Sequence, residues 1–334
     1  LQALAAGQAA TRYNFPLRDR VRGFIVTTSV FKSFDSQAQA LWGHAPLRLA
    51  HNLHERAMFT DDGLAQIIDK LPDELISIVT MGDDQRGRRD WSYCRRNNLS
   101  GAALVESVKQ GRIWINIIRI ERALPEFREV LEEIYDSIEA HAPGLGVYSK
   151  SVGLLISSPN AKVYYHADVP GQSLWQLRGE KRVFIYPDRE PFLRDSDIEN
   201  VVRGVTEEEI HYEPWFDEHA LVMDLKPGEM LHWPLNAPHR VDNLDCMNVS
   251  MTTEHWTPLI RRNFAMRYGN GILRQFGWTP KSRDLYGPTL WAKVALTAAW
   301  RLSGQQKRQS YRRTMSYDLD PGTPGLLRPI QSAG

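Results

Sequence analysis

Cysteine is almost missing from this chain: Cys94 and Cys246 are the only two in 334 residues. Two thiols cannot staple a disulfide scaffold, and their scarcity predicts a reducing, cytoplasmic setting. No stretch approaches the ~20 consecutive apolar residues that a membrane-spanning helix needs. Charge of one sign is also lacking. With 41 basic and 40 acidic residues the net charge is +1, which gives the whole protein no electrostatic footprint for nucleic acid. No internal repeat is visible. The opening Leu1–Ala6 lacks the charged and strongly apolar regions of a signal peptide, and the absence of an initiator Met predicts a trimmed chain. What remains is an ordinary globular composition, 42% hydrophobic, long enough to bury a large core.

The amino-terminal half reads as mixed helix and strand. Thr60-Asp61-Asp62 opens a helix with Leu64, Ile67, Ile68 and Leu71 at helical spacing, and Pro72 ends it. Ile76–Thr80 is a strand candidate. A second helix over 125–141 carries Phe127, Val130, Leu131, Ile134 and Ile138 on one stripe, a core face to which no chemistry is assigned. Residues 82–96, crowded with arginine, read as a solvated polar loop, with a substrate-facing loop for an acidic partner as the alternative. After residue 256 the composition turns basic, with thirteen Lys and Arg against three acidic residues over 257–334. Residues 290–302 look helical, with Trp291, Val294, Ala295, Ala298 and Leu302 forming an apolar face, and 320–325 reads as a loop. The basic stretch 307–313 leaves an acidic surface, RNA included, as a partner, although no nucleic-acid motif accompanies it.

Chemistry concentrates between residues 151 and 254. Residues 151–157 read as a buried strand, and Ser158-Pro159-Asn160 as a turn. His166 and Asp168, two apart on the next extended segment, project to one side of a sheet. With a second histidine they make two imidazoles and one carboxylate, the ligand set of non-haem Fe(II) oxygenases, which leaves one face of the metal open. His239, in Ala237-Pro238-His239, is the favoured third ligand, and His232, seven residues earlier, is its rival. Residues 173–178 and 181–186, joined at Gly179-Glu180, give a hairpin signal. Lys181 shares a strand face with Val183 and Ile185, so it points inward, where an ammonium needs an anion; an edge lysine in solvent is the bland alternative. The strand from Met247 to Glu254 alternates Met and Val with Asn248, Ser250 and Thr252, and either face suits the interior. Trp175, Trp215, Phe216 and Trp233 are aromatic candidates for a substrate path, each expected mainly as packing.

Taken together, Ser151–Pro159, His166-x-Asp168, Trp175–Val183 and Pro238-His239 resemble the Jumonji C branch of the cupin superfamily. Within it they are most similar to the cupin-8 type, asparaginyl-hydroxylase-like members. The resemblance implies a mainly β fold with helical additions. A double-stranded β-helix (jelly-roll, cupin) core over 146–256 is expected between an α/β amino-terminal cap over 1–145 and a basic, largely helical region over 257–334. It also implies an Fe(II)- and 2-oxoglutarate-dependent dioxygenase, a hydroxylase with demethylation open, using O2 and taking 2-oxoglutarate as co-substrate. His166, Asp168 and His239 would hold the metal. Lys181, fifteen residues after the first ligand, would bind the distal carboxylate of 2-oxoglutarate, with Gln176, Asn248 and Ser250 completing the cofactor set. Substrates are then a protein side chain or a small molecule, and a homodimer through the carboxy-terminal helices is expected. One departure stands out: such hydroxylases often carry Thr three residues before the first ligand, and this chain has Val163. Tyr164, Tyr165 and Ser151 are the hydroxyls nearest to hand. The alternatives are a metal-binding cupin that does not turn over 2-oxoglutarate, favoured by Val163 and opposed by Lys181, and a barrel that serves as an interaction protein.

Overall fold

The computed structural model describes residues 29–81, 91–311 and 313–330. The amino-terminal part contributes α1 (Ser36–Leu41), β1 (Leu47–Ala50), α2 (Asp61–Asp69), β2 (Ile76–Met81), β3 (Trp91–Arg95), α3 (Gly101–Gln110), β4 (Ile113–Ile117) and α4 (Pro125–His141). The central part runs β5 (Tyr148–Ser157), β6 (Lys162–His166), β7 (Gly171–Arg178), β8 (Lys181–Ile185), α5 (Asp195–Arg203), β9 (Leu221–Leu225), β10 (Glu229–His232), β11 (His239–Asn243) and β12 (Asn248–Trp256). α6 (Pro258–Gln275), α7 (Gly287–Leu302), α8 (Gln305–Gln309), β13 (Met315–Leu319) and β14 (Leu327–Pro329) follow.

Two sheets face each other. The larger has the order β1-β10-β7-β12-β5-β4-β2-β3-β13-β14 and the smaller β6-β11-β8-β9, with every pairing antiparallel except β13 on β3. This is the expected jelly roll. Its amino-terminal cap is not a separate body, because β4 pairs directly with β5 and carries β2 and β3 out along the same sheet. The carboxy-terminal region also returns to this sheet through β13 and β14. Both strands went unread in the sequence, where five-residue and three-residue pieces among polar residues carry little periodic signal.

Helices α2, α3 and α4 cover the outer face of the large sheet. Thr60 caps α2 by accepting from the Gly63 amide, and Pro125 starts α4 at a position where its missing N–H costs nothing. Their apolar stripes, Leu64, Ile67 and Ile68 with Phe127, Val130 and Ile134, bury against Leu154, Ile156, Val249 and Met251. That packing settles the facing of β12: the Val and Met side meets the helices, and the Asn248, Ser250, Thr252 and Glu254 side faces the barrel interior.

Three expectations need correction. Residues 173–178 and 181–186 do not pair as a hairpin; β7 lies in the large sheet and β8 in the small one, and the turn between them crosses from one to the other. Gly179 sits there at φ +71°, and a Cβ would lie 2.3 Å from the Met247 carbonyl oxygen, so the turn demands glycine. Within the arginine-rich loop, Trp91–Arg95 is strand β3, while residues 82–90 lie outside the described ones. On α7 the apolar stripe faces outward: Trp291 and Leu302 are 68% and 89% exposed, whereas Leu290, Lys293 and Thr297 turn inward. Part of the positive charge expected on this region is spent on ion pairs, Arg267 and Arg283 with Asp195, Arg274 with Glu199 and Arg313 with Glu207. Among the described residues no helix is long and apolar enough to cross a membrane.

Burial makes this fold sensitive to acid. His51, His232 and His255 are packed inside, and burial pushes them down to about 4, about 3 and about 4 respectively. Below pH 6.5 the unfolded chain takes up protons that the native state refuses, so stability falls as pH drops from there toward 4. Each histidine contributes about 1.4 kcal/mol per pH unit, and the three together about 4. Urea unfolding should show a steep loss between pH 6 and 4.5; a flat profile there would contradict these burials.

Candidate metal centre

β6 and β11 lie side by side in the small sheet, and His166 is the cross-strand partner of His239. Their rings sit 4.1 Å apart, centre to centre. Asp168 follows just beyond the end of β6, and its carboxylate reaches both: Oδ1 is 4.0 Å from His166 Nε2 and Oδ2 is 3.3 Å from His239 Nε2. One ligand atom from each residue falls within 4.8 Å of the others. The Nδ1 atoms lie 2.8 Å from the Tyr164 carbonyl and 3.0 Å from the Ala237 carbonyl. A carbonyl only accepts, so each Nδ1 carries the proton and each Nε2 turns a lone pair toward the carboxylate. Metal-binding histidines are oriented in this way.

The surroundings hold this arrangement. Asn236, at φ +63° in the turn before β11, donates Nδ2 to the Asp168 carbonyl at 2.6 Å. The side-chain amide of Gln172 faces the Asp168 carboxylate and, with nitrogen turned toward it, donates to Oδ1 at 3.0 Å. Burial pushes His166 and His239 down, so both stay neutral and able to ligate. Burial, with Glu208 and Glu254 nearby, pushes Asp168 well up. Three buried groups, one a carboxylate with no Lys or Arg paired to it among the described residues, suit a divalent ion. The donor set therefore fits a divalent ion such as Fe(II), which His166, Asp168 and His239 would hold.

His232 goes elsewhere. It lies on β10 in the large sheet, stacks on Trp42 at 4.1 Å and places Nδ1 2.8 Å from the Gln172 carbonyl.

The triad borders a cavity of about 590 Å³ that is lined also by Trp91, Trp114, Arg119 and Arg313. Lys181 lines its inner part, with the residue only 4% exposed. β8 is an inner strand between β11 and β9, so the edge-lysine alternative falls. Among the described residues nothing hydrogen-bonds or ion-pairs with its ammonium, and burial pushes it down to about 7, against a small opposing effect of Cys246. Arg178 and Arg240, the other cations within reach in sequence, are committed to Asp61 and to Asp217 and Asp242.

The rest of the expected cofactor set does not line this cavity. Gln176 Nε2 donates to the Arg178 and Gly179 carbonyls and to Asn248 Oδ1, while its Oε1 accepts from Ser250. Asn248 Nδ2 donates to the Glu180 and Cys246 carbonyls. These three groups satisfy one another and tie down the Gly179 turn, a role that local pattern could not separate from ligand binding. Of the aromatic candidates only Trp233 lines the cavity; Trp175 is buried with Nε1 on Thr253 Oγ1, and Phe216 is buried beside Trp215. The aromatic wall is instead Trp91, Tyr93, Trp114 and Tyr164, with Trp91 in ring contact with Trp114 and Tyr164. Their alternation on β3 and β4 was the available signal, obscured by the polar run before Trp91.

Residues 97–257 match the family model of the cupin-like domain. This stretch is a cupin-like domain. It takes in α3, β4 and α4 as well as the barrel, and it contains all three triad residues and Lys181. No curated protein matches the sequence. Among solved structures, E. coli ycfD overlays with a TM-score of 0.46 at 14% identity, over 85% of this chain and 73% of its own. A complex of YcfD, a ribosomal oxygenase from Escherichia coli, with cobalt and 2-oxoglutarate gives 0.45 at 14% identity, over 85% and 72%. The DMSP lyase DddQ of Ruegeria pomeroyi DSS-3 gives 0.22 at 13% identity, over 32% of this chain and 39% of its own.

Proposed function

We propose that the protein is an Fe(II)- and 2-oxoglutarate-dependent oxygenase acting as a hydroxylase. The carrying observation is that a His-Asp-His cluster and a buried lysine without a polar partner among the described residues border one cavity. A metal cupin without 2-oxoglutarate has no use for an ammonium held in an apolar interior, because burying that charge costs free energy until an anion joins it. Bound at the triad, iron with 2-oxoglutarate and O2 supplies oxidation of an unactivated C–H bond, with release of succinate and carbon dioxide. The chain's own residues bind and orient. Lys181 neutralises the distal carboxylate and thereby sets the keto-acid end toward the triad, and the apolar barrel wall of Leu174, Val163, Val241 and Trp233 excludes water.

The substrate enters from the outer part of the cavity. Its walls come from β2, β3 and β4 on one side and from Thr206, Glu207, Glu208, Ser310, Tyr311 and Arg313 on the other, a lining that suits a side chain presented on a protein segment. Iron-dependent succinate release from 2-oxoglutarate, stimulated by peptides displayed from a library, tests both parts of the reading. Absence of iron-dependent turnover with 2-oxoglutarate under any substrate would reject it. The outward stripe of α7 is where we place the homodimer; sedimentation should show a dimer that Trp291→Glu converts to monomer, and a monomeric parent would remove the idea.

A further inference from the structure

The cupin-like stretch ends at residue 257, yet Phe264, Tyr268, Tyr311 and Arg313 also line the cavity that the triad borders. Arg313 lies just before β13, the strand that joins the large sheet beside β3. Its Nε donates to Glu207 Oε1 at 3.1 Å, its Nη1 reaches Ser77 Oγ at 3.5 Å, and its guanidinium lies 4.9 Å from the centre of the Tyr93 ring. Tyr93 Oη donates to the same Glu207 oxygen at 2.6 Å. Ser77, Tyr93 and Glu207 line the cavity as well.

These partners stand on opposite walls. Ser77 and Tyr93 belong to β2 and β3 of the large sheet. Glu207 opens a segment tied to the backbone of the metal ligands: the Glu208 carbonyl accepts from the Ala167 amide at 3.3 Å, the Ile210 amide donates to the Tyr165 carbonyl at 3.4 Å, and Glu209 forms a β-bridge with His166. One guanidinium therefore joins the large sheet to the backbone that carries His166 and Asp168. The Arg313 side chain is 39% exposed and that of Glu207 12%. A side chain that lines a cavity and also meets solvent stands where the two join, so this contact lies at the cavity's edge. An ion pair in that position is weak by itself; stacking on the Tyr93 face and the carboxylate oxygen shared with Tyr93 reinforce it.

We propose that Arg313 is a specificity-determining residue: clasped by Glu207 and Tyr93, it holds the two walls together and sets the width of the opening through which a substrate reaches the triad. This rests on the reading of the triad as a metal centre and of the cavity as the substrate's route. Narrow groups pass the clasp, and bulky ones pass only when it opens. The carboxy-terminal region thus selects what reaches the metal without touching it.

The test follows the entry of two metal ligands of different width into Co(II)-loaded protein by stopped-flow absorption of the cobalt: imidazole, and 4-phenylimidazole, which adds a flat ring to the same ligating group. In the parent, 4-phenylimidazole should enter far more slowly than imidazole. Arg313→Gln should speed its entry about tenfold and leave imidazole entry and cobalt content unchanged. Arg313→Lys, which keeps a charge for Glu207 but not the flat stack on Tyr93, should fall between parent and Gln variant. In the metal-free protein, Arg313→Gln should also quicken hydrogen exchange at the Ala167 and Ile210 amides, which tie the Glu207 segment to the metal-ligand backbone. Unchanged entry of 4-phenylimidazole would overturn the inference. Equal acceleration of both ligands would overturn it too, since that is the mark of a merely structural arginine. A parent that binds no cobalt would reject the metal centre itself and take this inference with it.

Discussion

Asp168→Ala and His239→Ala proteins should fold, bind no stoichiometric Fe(II) and show no turnover, whereas His232→Ala should keep its iron. The expectation follows from where the side chains are, not from the number of histidines. Asp168 and His239 face each other at 3.3 Å, while His232 stacks under Trp42 in the other sheet. Stability should change in the opposite sense to activity. Asp168 is a buried carboxylate whose ionised form is opposed by burial and by Glu208 and Glu254, so its removal from the metal-free protein should leave the melting temperature unchanged or raise it. His232→Ala vacates a stacked, buried position and should cost roughly 1 to 3 kcal/mol. Iron analysis and calorimetric melting of the three variants read both effects. If His232→Ala loses the iron and His239→Ala keeps it, the third ligand has been placed on the wrong side of the turn.

Lys181→Met should leave iron binding nearly intact and weaken 2-oxoglutarate by about 1.5 to 3 kcal/mol, roughly tenfold to hundredfold in Kd. Methionine keeps most of the apolar stem and removes the charge. A second signature comes with pH. Burial holds the free ammonium down to about 7, and a bound carboxylate restores its charge, so binding takes up a proton above that point. Affinity for 2-oxoglutarate should therefore fall as pH rises above about 7, by up to tenfold per unit, and the Met variant should lack this dependence. A parent with pH-independent affinity between 7 and 9 would mean that another group holds the carboxylate.

The parts legible in the sequence were those with local periodicity or fixed spacing. Helices α2 and α4 show their stripes and caps directly, and the strands of the barrel announce themselves through alternation and turn residues. The pairing of β7 with β8 was misread because two strands joined at Gly179-Glu180 look alike whether they hydrogen-bond or switch sheets; only the third dimension distinguishes them. Gln176, Asn248 and Ser250, expected at the cofactor, do share the inward face of β7 and β12 with true cavity residues. Facing inward does not say how far along the barrel a side chain lies, and these three sit where neighbouring carbonyls consume them. The outward stripe on α7 shows the limit of amphipathicity as a guide, since an apolar face predicts burial against something without naming the partner.

The central claim is that one cavity holds iron at His166, Asp168 and His239 and 2-oxoglutarate at Lys181. Anaerobic titration of the Fe(II)-loaded parent with 2-oxoglutarate, followed at the visible metal-to-ligand absorption band, tests it most directly. The account predicts a band that saturates at a single equivalent, is absent from Asp168→Ala and needs far more 2-oxoglutarate in Lys181→Met. Full iron loading with no band and no heat of 2-oxoglutarate binding would contradict it.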